Sequence, residues 1–234
     1  MVYVTSDLHG CNLTEFQLLL KKAGFTSDDF LFILGDVIDR GPHGIEWLLW
    51  LLEQTNVQLI LGNHEALMLA CSFLFEEVTE ETLDRLTAEQ LMLVESWIEN
   101  GGSSTMSALR TLLKNDPESV QSIVEYLEDA PLYDTVQVNG TDYILVHAGL
   151  GNFDPNRSLD EYEPDDLLLV RTSLTDTFFP DATLIFGHTP TYYYGAEYEG
   201  RAIHTDTWIC IDTGAAGGKS PMLLCLDTMQ EYYY

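Results

Sequence analysis

Short apolar runs in this sequence end repeatedly in a glycine set beside an Asp, Asn or His. Val2 to Thr5 leads into Ser6-Asp7-Leu8-His9-Gly10, Phe30 to Leu34 into Gly35-Asp36, Val57 to Leu61 into Gly62-Asn63-His64, and Thr183 to Phe186 into Gly187-His188. Runs of four or five apolar residues bounded by glycine read as buried strands. The stretches between the first of them read as helices. Asn12 to Ala23 has Asn12 as its cap, Glu15 three residues on and Gly24 as its stop; Ile45 to Gln54 is helical, and a further helix begins at Glu65 and runs toward Phe75. A βαβαβα series predicts an α/β fold with a mainly parallel sheet, whose ligands gather at the carboxyl ends of the strands.

The strands then stop. Between about 76 and 130 the chain favours helix, with Ala88 to Glu99 behind Thr87 and Ser103 to Lys114 after Gly101-Gly102, which reads as a helical insertion or cap. Strands resume at Asp134 to Val138, turn at Asn139-Gly140 into Tyr143 to His147, and continue through Thr183 to Phe186, Ala202 to Thr205, Trp208 to Ile211 and Met222 to Asp227. Asn152 to Asp166 reads as an acidic loop. No repeat or low-complexity linker interrupts the pattern, so residues 1–234 are expected to form one domain carrying the insertion, with Tyr232 to Tyr234 docked on it.

With 234 residues, 46% of them hydrophobic and 11% aromatic, the chain can bury a substantial core. Ten Lys and Arg face 38 Asp and Glu, a net charge of −28. Binding to nucleic acid by counterion release, or to anionic membrane, is therefore not expected. A phosphate-bearing substrate would need a concentrated local positive field. Cys11, Cys71, Cys210 and Cys225 are too widely spaced for a zinc or redox motif and read as reduced thiols. The start of the sequence lacks the basic and apolar regions of a signal peptide, and no apolar run is as long as a membrane span; the expectation is a cytoplasmic enzyme.

An isolated Asp after a strand is usually a turn or helix cap, and an isolated His is usually structural. Here four of the six histidines fall at strand ends in company with Asp7, Asp36, Asp39 and Asn63. Carboxylate, imidazole and amide oxygen together form a ligand set for first-row divalent metals, and a carboxylate able to bridge suggests two ions.

Five ordered blocks resemble the calcineurin-like metallophosphoesterases: Ser6-Asp7-Leu8-His9-Gly10, Gly35-Asp36-Val37-Ile38-Asp39-Arg40-Gly41, Gly62-Asn63-His64-Glu65, His147-Ala148-Gly149 and Gly187-His188-Thr189-Pro190. Within that family the branch is similar to phosphoprotein phosphatases, in particular the short prokaryotic and lambda-phage-type serine/threonine enzymes. The resemblance implies a β-sandwich flanked by helices in four layers, α-β-β-α. It implies one metal held by Asp7, His9 and Asp36, and a second held by Asp36, Asn63, His147 and His188. The ions would be manganese foremost, with iron and zinc or nickel as alternatives. His64 would protonate the leaving oxygen with Asp39 orienting it, and Arg40 would hold phosphoryl oxygens. Arg171, in the looser context Leu169-Val170-Arg171-Thr172, would be a second phosphate-binding arginine or else a surface ion-pair partner. Ser6 departs from the glycine common at its position, which crowds the loop without removing a ligand. His43 and His204 match no motif and read as surface histidines.

Two divalent ions outweigh Asp7, Asp36 and a bridging hydroxide, and two arginines add to them, so the centre would be a positive hole in an acidic protein. Metal coordination brings the pKa of water near 7, and the hydroxide attacks phosphorus directly. The leading expectation is hydrolysis of phosphoserine or phosphothreonine in proteins, or of a small phosphoester. The alternatives are symmetrical hydrolysis of diadenosine tetraphosphate, supported by the Ile211-Asp212-Thr213-Gly214 segment and Gly217-Gly218, and a catalytically silent phosphate-binding module. Few basic residues lie outside Arg40 and Arg171, which weighs toward a monoester; the intact Asp39, Arg40 and His64 weigh against a silent module.

Overall fold

Two five-stranded sheets stack face to face in the computed structural model, which describes residues 1–75 and 87–234. The first has the order β10-β9-β1-β2-β3: β1 (Val2–Thr5), β2 (Phe30–Leu34) and β3 (Val57–Ile60) are parallel, while β9 (Leu223–Cys225) and β10 (Gln230–Tyr232) run antiparallel. The second has the order β4-β5-β6-β8-β7. Its centre, β5 (Thr141–Val146), β6 (Ala182–Phe186) and β8 (Trp208–Cys210), is parallel, and β4 (Tyr133–Val138) and β7 (Ile203–His204) close its edges antiparallel.

Side chains alternate across each strand, so a sheet buried on both faces feeds two cores. Val4, Phe32, Leu34 and Ile60 meet Tyr143, Leu145, Ile185 and Ile209 of the second sheet, forming the central layer of the sandwich. Tyr3, Leu31 and Ile33 point the other way, onto the helices. That helical layer contains α1 (Leu13–Ala23), α2 (Gly44–Leu52), α3 (Asn63–Ala70), α4 (Ala88–Glu99), α5 (Ser103–Asn115) and α6 (Pro117–Glu128). The outer face of the second sheet is covered thinly. Ile144, Val146, Phe186 and Trp208 pack under Leu150, Tyr162, Leu167 and Phe178, from irregular chain and the five-residue helix α7 (Pro164–Leu168).

The fold matches the expected mixed α/β sandwich, with corrections of detail. The strands divide between two mixed sheets. The expected loop from Asn152 to Asp166 runs into α7, started by Pro164 at a position where its missing N–H costs nothing. The helix from Glu65 begins two residues earlier and ends at Ala70, followed by a three-ten turn over Ser72–Phe75. The part of the expected insertion at 76–86 lies outside the described residues. The rest forms α4 to α6, whose Trp97, Leu109, Ile123 and Leu127 join the core beneath the first sheet. Tyr232 lies in β10, and the Tyr233 carbonyl accepts from Lys22 Nζ, tying the last residues to α1. Among the described residues no helix is long and apolar enough to cross a membrane.

Candidate active site

The loops after β1, β2, β3, β5 and β6 converge at one end of the sandwich. Asp7, His9, Asp36, Asp39, Arg40 and His188 all have left-handed backbone, with φ between 43° and 67°. Such conformations cost a non-glycine residue on the order of 1–3 kcal/mol each and persist only where surroundings enforce them. Here the loops brace one another: Asp7 N donates to Gly35 O at 3.1 Å, His9 N to Asp36 O at 2.8 Å and Gly10 N to Val37 O at 2.8 Å. Behind them the buried Glu65 carboxylate accepts the backbone N–H of Asp36 at 2.8 Å, Val37 at 2.9 Å, Gly62 at 3.1 Å and Ile38 at 3.3 Å. Gly187 leaves no choice of side chain, because a Cβ there would overlap Asp7 Oδ2 and Ser6 Oγ. Its bareness also makes room for Ser6.

Two groups of donor atoms share Asp36. In one, His147 Nδ1–H donates to Leu34 O at 2.7 Å, which turns the Nε2 lone pair inward. That Nε2 lies 2.9 Å from Asn63 Oδ1 and 3.2 Å from His188 Nδ1, which is itself 2.9 Å from Asn63 Oδ1, and 3.5 Å from Asp36 Oδ1. Acceptors facing one another at these distances call for a cation between them. In the other, His9 Nδ1–H donates to Ile38 O at 3.1 Å, and its Nε2 lies 3.6 Å from Asp36 Oδ2 and 4.0 Å from Asp7 Oδ1. Asp7 Oδ1 is buried without a hydrogen-bond partner, as a metal-ligating oxygen would be.

The electrostatics of His9, His188 and Asp36 agree. Burial lowers the pKa of His9 to about 3 against the pull of Asp36, and burial with the neighbouring His147 lowers His188 to about 3, so both present neutral nitrogen. Burial raises Asp7 to about 6, partly offset by His147 and reinforced by Asp36. Burial also opposes ionisation of Asp36, but His147, His64 and His9 outweigh it and hold that carboxyl below its ordinary range. For His147 burial is in turn outweighed by Asp36 and Asp7, which raise its pKa. The residues therefore fit the divalent ions that the chain's sequence implies.

His64 borders the first group, its Nε2 3.8 Å from Asp36 Oδ2, but its other nitrogen is tied elsewhere. Its Nδ1 bonds to Asp39 Oδ2 at 2.7 Å, and burial is outweighed by Asp36 and Asp39, which raise its pKa. Arg40 is exposed, with Nη1 3.0 Å from His9 Nε2 and Nη2 3.1 Å from His64 Nε2, at the mouth of a cleft of about 310 Å³ also lined by His43, Ala215 and Ala216. Arg171 reaches the same end from the rim, donating to Thr189 Oγ1 at 3.3 Å, one residue past His188.

Other contributors were not singled out by sequence. Glu65 sits in a quoted block and at the third position of α3, where a carboxylate commonly satisfies orphan N–H groups, which was the available signal. Asp212, buried beside Asp7 and accepting from Gly214 N at 2.9 Å, has its pKa pushed well up by burial and by Asp7. Tyr192 and Tyr193 are exposed, and the Tyr193 ring lies 6.0 Å from the Arg171 guanidinium.

A curated symmetrical bis(5'-nucleosyl)-tetraphosphatase of Buchnera aphidicola is 37% identical over 101 residues, 42% of this chain and 37% of that protein. The chain spans about a third of the length of the curated relatives it matches. Among solved structures, a candidate diadenosine tetraphosphatase superposes with a TM-score of 0.62 at 19% identity, covering 100% of this chain and 92% of that one. A Saccharomyces cerevisiae protein serine/threonine phosphatase gives 0.54 at 15%, over 95% and 72%. At such identities these likenesses establish the fold. The calcineurin-like phosphoesterase model, however, matches residues 1–214, a stretch that carries all five loops of the site, and the chain belongs to that family of metal-dependent hydrolases.

Proposed function

We propose that this site hydrolyses a dinucleoside polyphosphate, cleaving it between its central phosphates. Asp36 carries the hydrolytic part of this reading: Oδ1 faces His147 and Oδ2 faces His9, so one carboxylate serves both donor groups. Asp7, His9 and Asp36 would hold one divalent ion, and Asp36, Asn63, His147 and His188 the other. When bound, such ions neutralise phosphoryl oxygens and make water nucleophilic near neutral pH.

The chain's own residues do the remainder. Arg40, at the cleft beside His9 and His64, would bind phosphoryl oxygens in its fork, with Arg171 as the second cation. A P–O bond forms to the oxygen of water as the bond to the leaving oxygen breaks. His64 supplies the proton to that leaving oxygen from Nε2, and Asp39 holds the ring by Nδ1 and stabilises its charge. A donor and its orienting carboxylate have no use in a silent binding module.

The substrate reading moves from the expected phosphoprotein to the dinucleotide. The curated relatives are named symmetrical bis(5'-nucleosyl)-tetraphosphatases, and none of the likenesses above supports a phosphoprotein beyond the fold. The Tyr192–Tyr193 pair, ring centroids 4.8 Å apart at 33°, offers an exposed aromatic surface beside Arg171, suited to a nucleobase. The test is a panel on manganese-loaded protein: diadenosine tetraphosphate, a phosphoserine peptide, a phosphotyrosine peptide and an alkyl phosphate. The expected result is the highest kcat/KM for the dinucleotide with ADP as its sole product. Tyr193→Ala should raise KM for it about tenfold, the scale of one stacked base, without changing KM for the alkyl phosphate. Preferential turnover of the phosphoserine peptide would overturn the substrate reading while leaving the hydrolytic one intact.

A further inference from the structure

The helical insertion reaches into the proton-donor pair. Trp97, on α4, is fully buried, and its indole Nε1–H points at the Asp39 carboxylate, 3.0 Å from Oδ2 and 3.2 Å from Oδ1. Oδ2 is the oxygen that also accepts from His64. A carboxylate bonded to one imidazole alone can rotate about Cβ–Cγ; a second donor lying across both oxygens fixes its plane. The indole is itself wedged, since a Cβ on Gly102 would overlap its five-membered ring, and Gly102 N donates to Trp97 O at 2.8 Å.

The backbone is held from the same corner. Asp39 and Arg40 are consecutive left-handed residues, with φ of 67° and 66°. Asp39 N donates to the buried Thr105 Oγ1 of α5 at 3.0 Å, and Arg40 N donates to Gly101 O, between α4 and α5, at 2.9 Å. Both N–H groups of the strained turn thus end on the insertion, as does the carboxylate between them.

We propose that Trp97 is a positioning residue for the His64–Asp39 pair, which makes the corner between α4 and α5 a working part of the active site. This rests on the proton-donor reading of His64. A hydrogen bond to a charged group typically corresponds to a tenfold or larger effect. Trp97→Phe keeps the apolar bulk and deletes the donor. Its kcat on an alkyl phosphate should fall on the order of tenfold with KM and metal stoichiometry unchanged, and fall less on an aryl phosphate, whose leaving anion needs less protonation. In a His64→Asn background the same change should cost nothing further. Thr105→Val, nearly isosteric, should shift rates in the same direction and covers the case in which Trp97→Phe folds poorly. In zinc-loaded protein the His64 Nδ1–H proton resonance should move in both variants.

Equal losses across leaving groups that persist without His64, or an unmoved resonance, would overturn the proposal. Should His64→Asn itself damage all leaving groups alike, the proton-donor reading fails, and the resonance alone decides: displacement upholds Trp97 as the residue that sets the Asp39–His64 geometry, and constancy refutes it.

Discussion

Glu65 accepts the backbone N–H of Asp36 at 2.8 Å, and through this bond a carboxylate that touches no substrate fixes the residue shared by both donor groups. The same side chain gathers Val37, Ile38 and Gly62, so it serves as a hub for two of the converging loops. Glu65→Gln retains the shape but replaces one acceptor oxygen by an NH2 group, which must face donors. Removing a buried partner costs about 1–3 kcal/mol per orphaned group. The expected outcome is a Tm lower by several degrees and weaker divalent-ion affinity, read by thermal melts with and without manganese and by titration calorimetry.

Gly187→Ala puts a methyl group into space held by Asp7 Oδ2 and Ser6 Oγ. Asp7 must move, and it sits in left-handed backbone that cannot shift freely. Bound metal should fall from two ions to one or none, measured by elemental analysis, and Ser6→Gly in the same chain should restore part of the loss by freeing the oxygen and Cβ on that side.

Much of this site was legible because it is written at strand ends. Each apolar run stops where the chain leaves its sheet, so Asp7, Asp36 and Asn63 gather at the end of β1, β2 and β3, His147 and His188 gather at the end of β5 and β6, and stacking of the two sheets brings the groups together. The strands of the second sheet were equally readable, but which sheet each joined was not, since Val4 and Leu145 carry the same apolar signal and meet only across the sandwich. Trp97 and Thr105 were illegible for a related reason. They lie 58 and 66 residues from Asp39, on helices whose patterns report only amphipathic packing, and nothing local distinguishes an indole N–H aimed at a carboxylate from one buried in a core. Tyr192 and Tyr193 follow a recognisable block, yet their exposure is a tertiary fact.

Removing divalent metal should abolish hydrolysis, and manganese should restore it. The ion binds the folded state and screens buried carboxylates from one another, so loading should also raise Tm; a free concentration 100 times the dissociation constant stabilises by about 2.7 kcal/mol. Asp36→Asn should be the most damaging single ligand change, since it removes charge from both donor groups at once. Elemental analysis should find less than one ion per chain in this variant, against two in the parent. Two ions retained would refute the shared role of Asp36.

His64→Asn separates proton donation from metal binding. His64 Nδ1 is committed to Asp39, so a donor change there should leave ion content near two while kcat on an alkyl phosphate falls roughly 10²- to 10⁴-fold, the usual scale of general acid catalysis. An aryl phosphate leaves as a stabilised anion and should lose less. Across a series of leaving groups the variant should therefore show a steeper dependence of log kcat on leaving-group pKa than the parent. Asp39→Asn should show the same trend more mildly, because the imidazole remains but loses its charged partner. If His64 only propped the loop, ion content and Tm would fall with it and every substrate would lose in parallel. Metal stoichiometry measured alongside the rate series distinguishes these outcomes, and a parallel line for all leaving groups would remove His64 from the proton-transfer step.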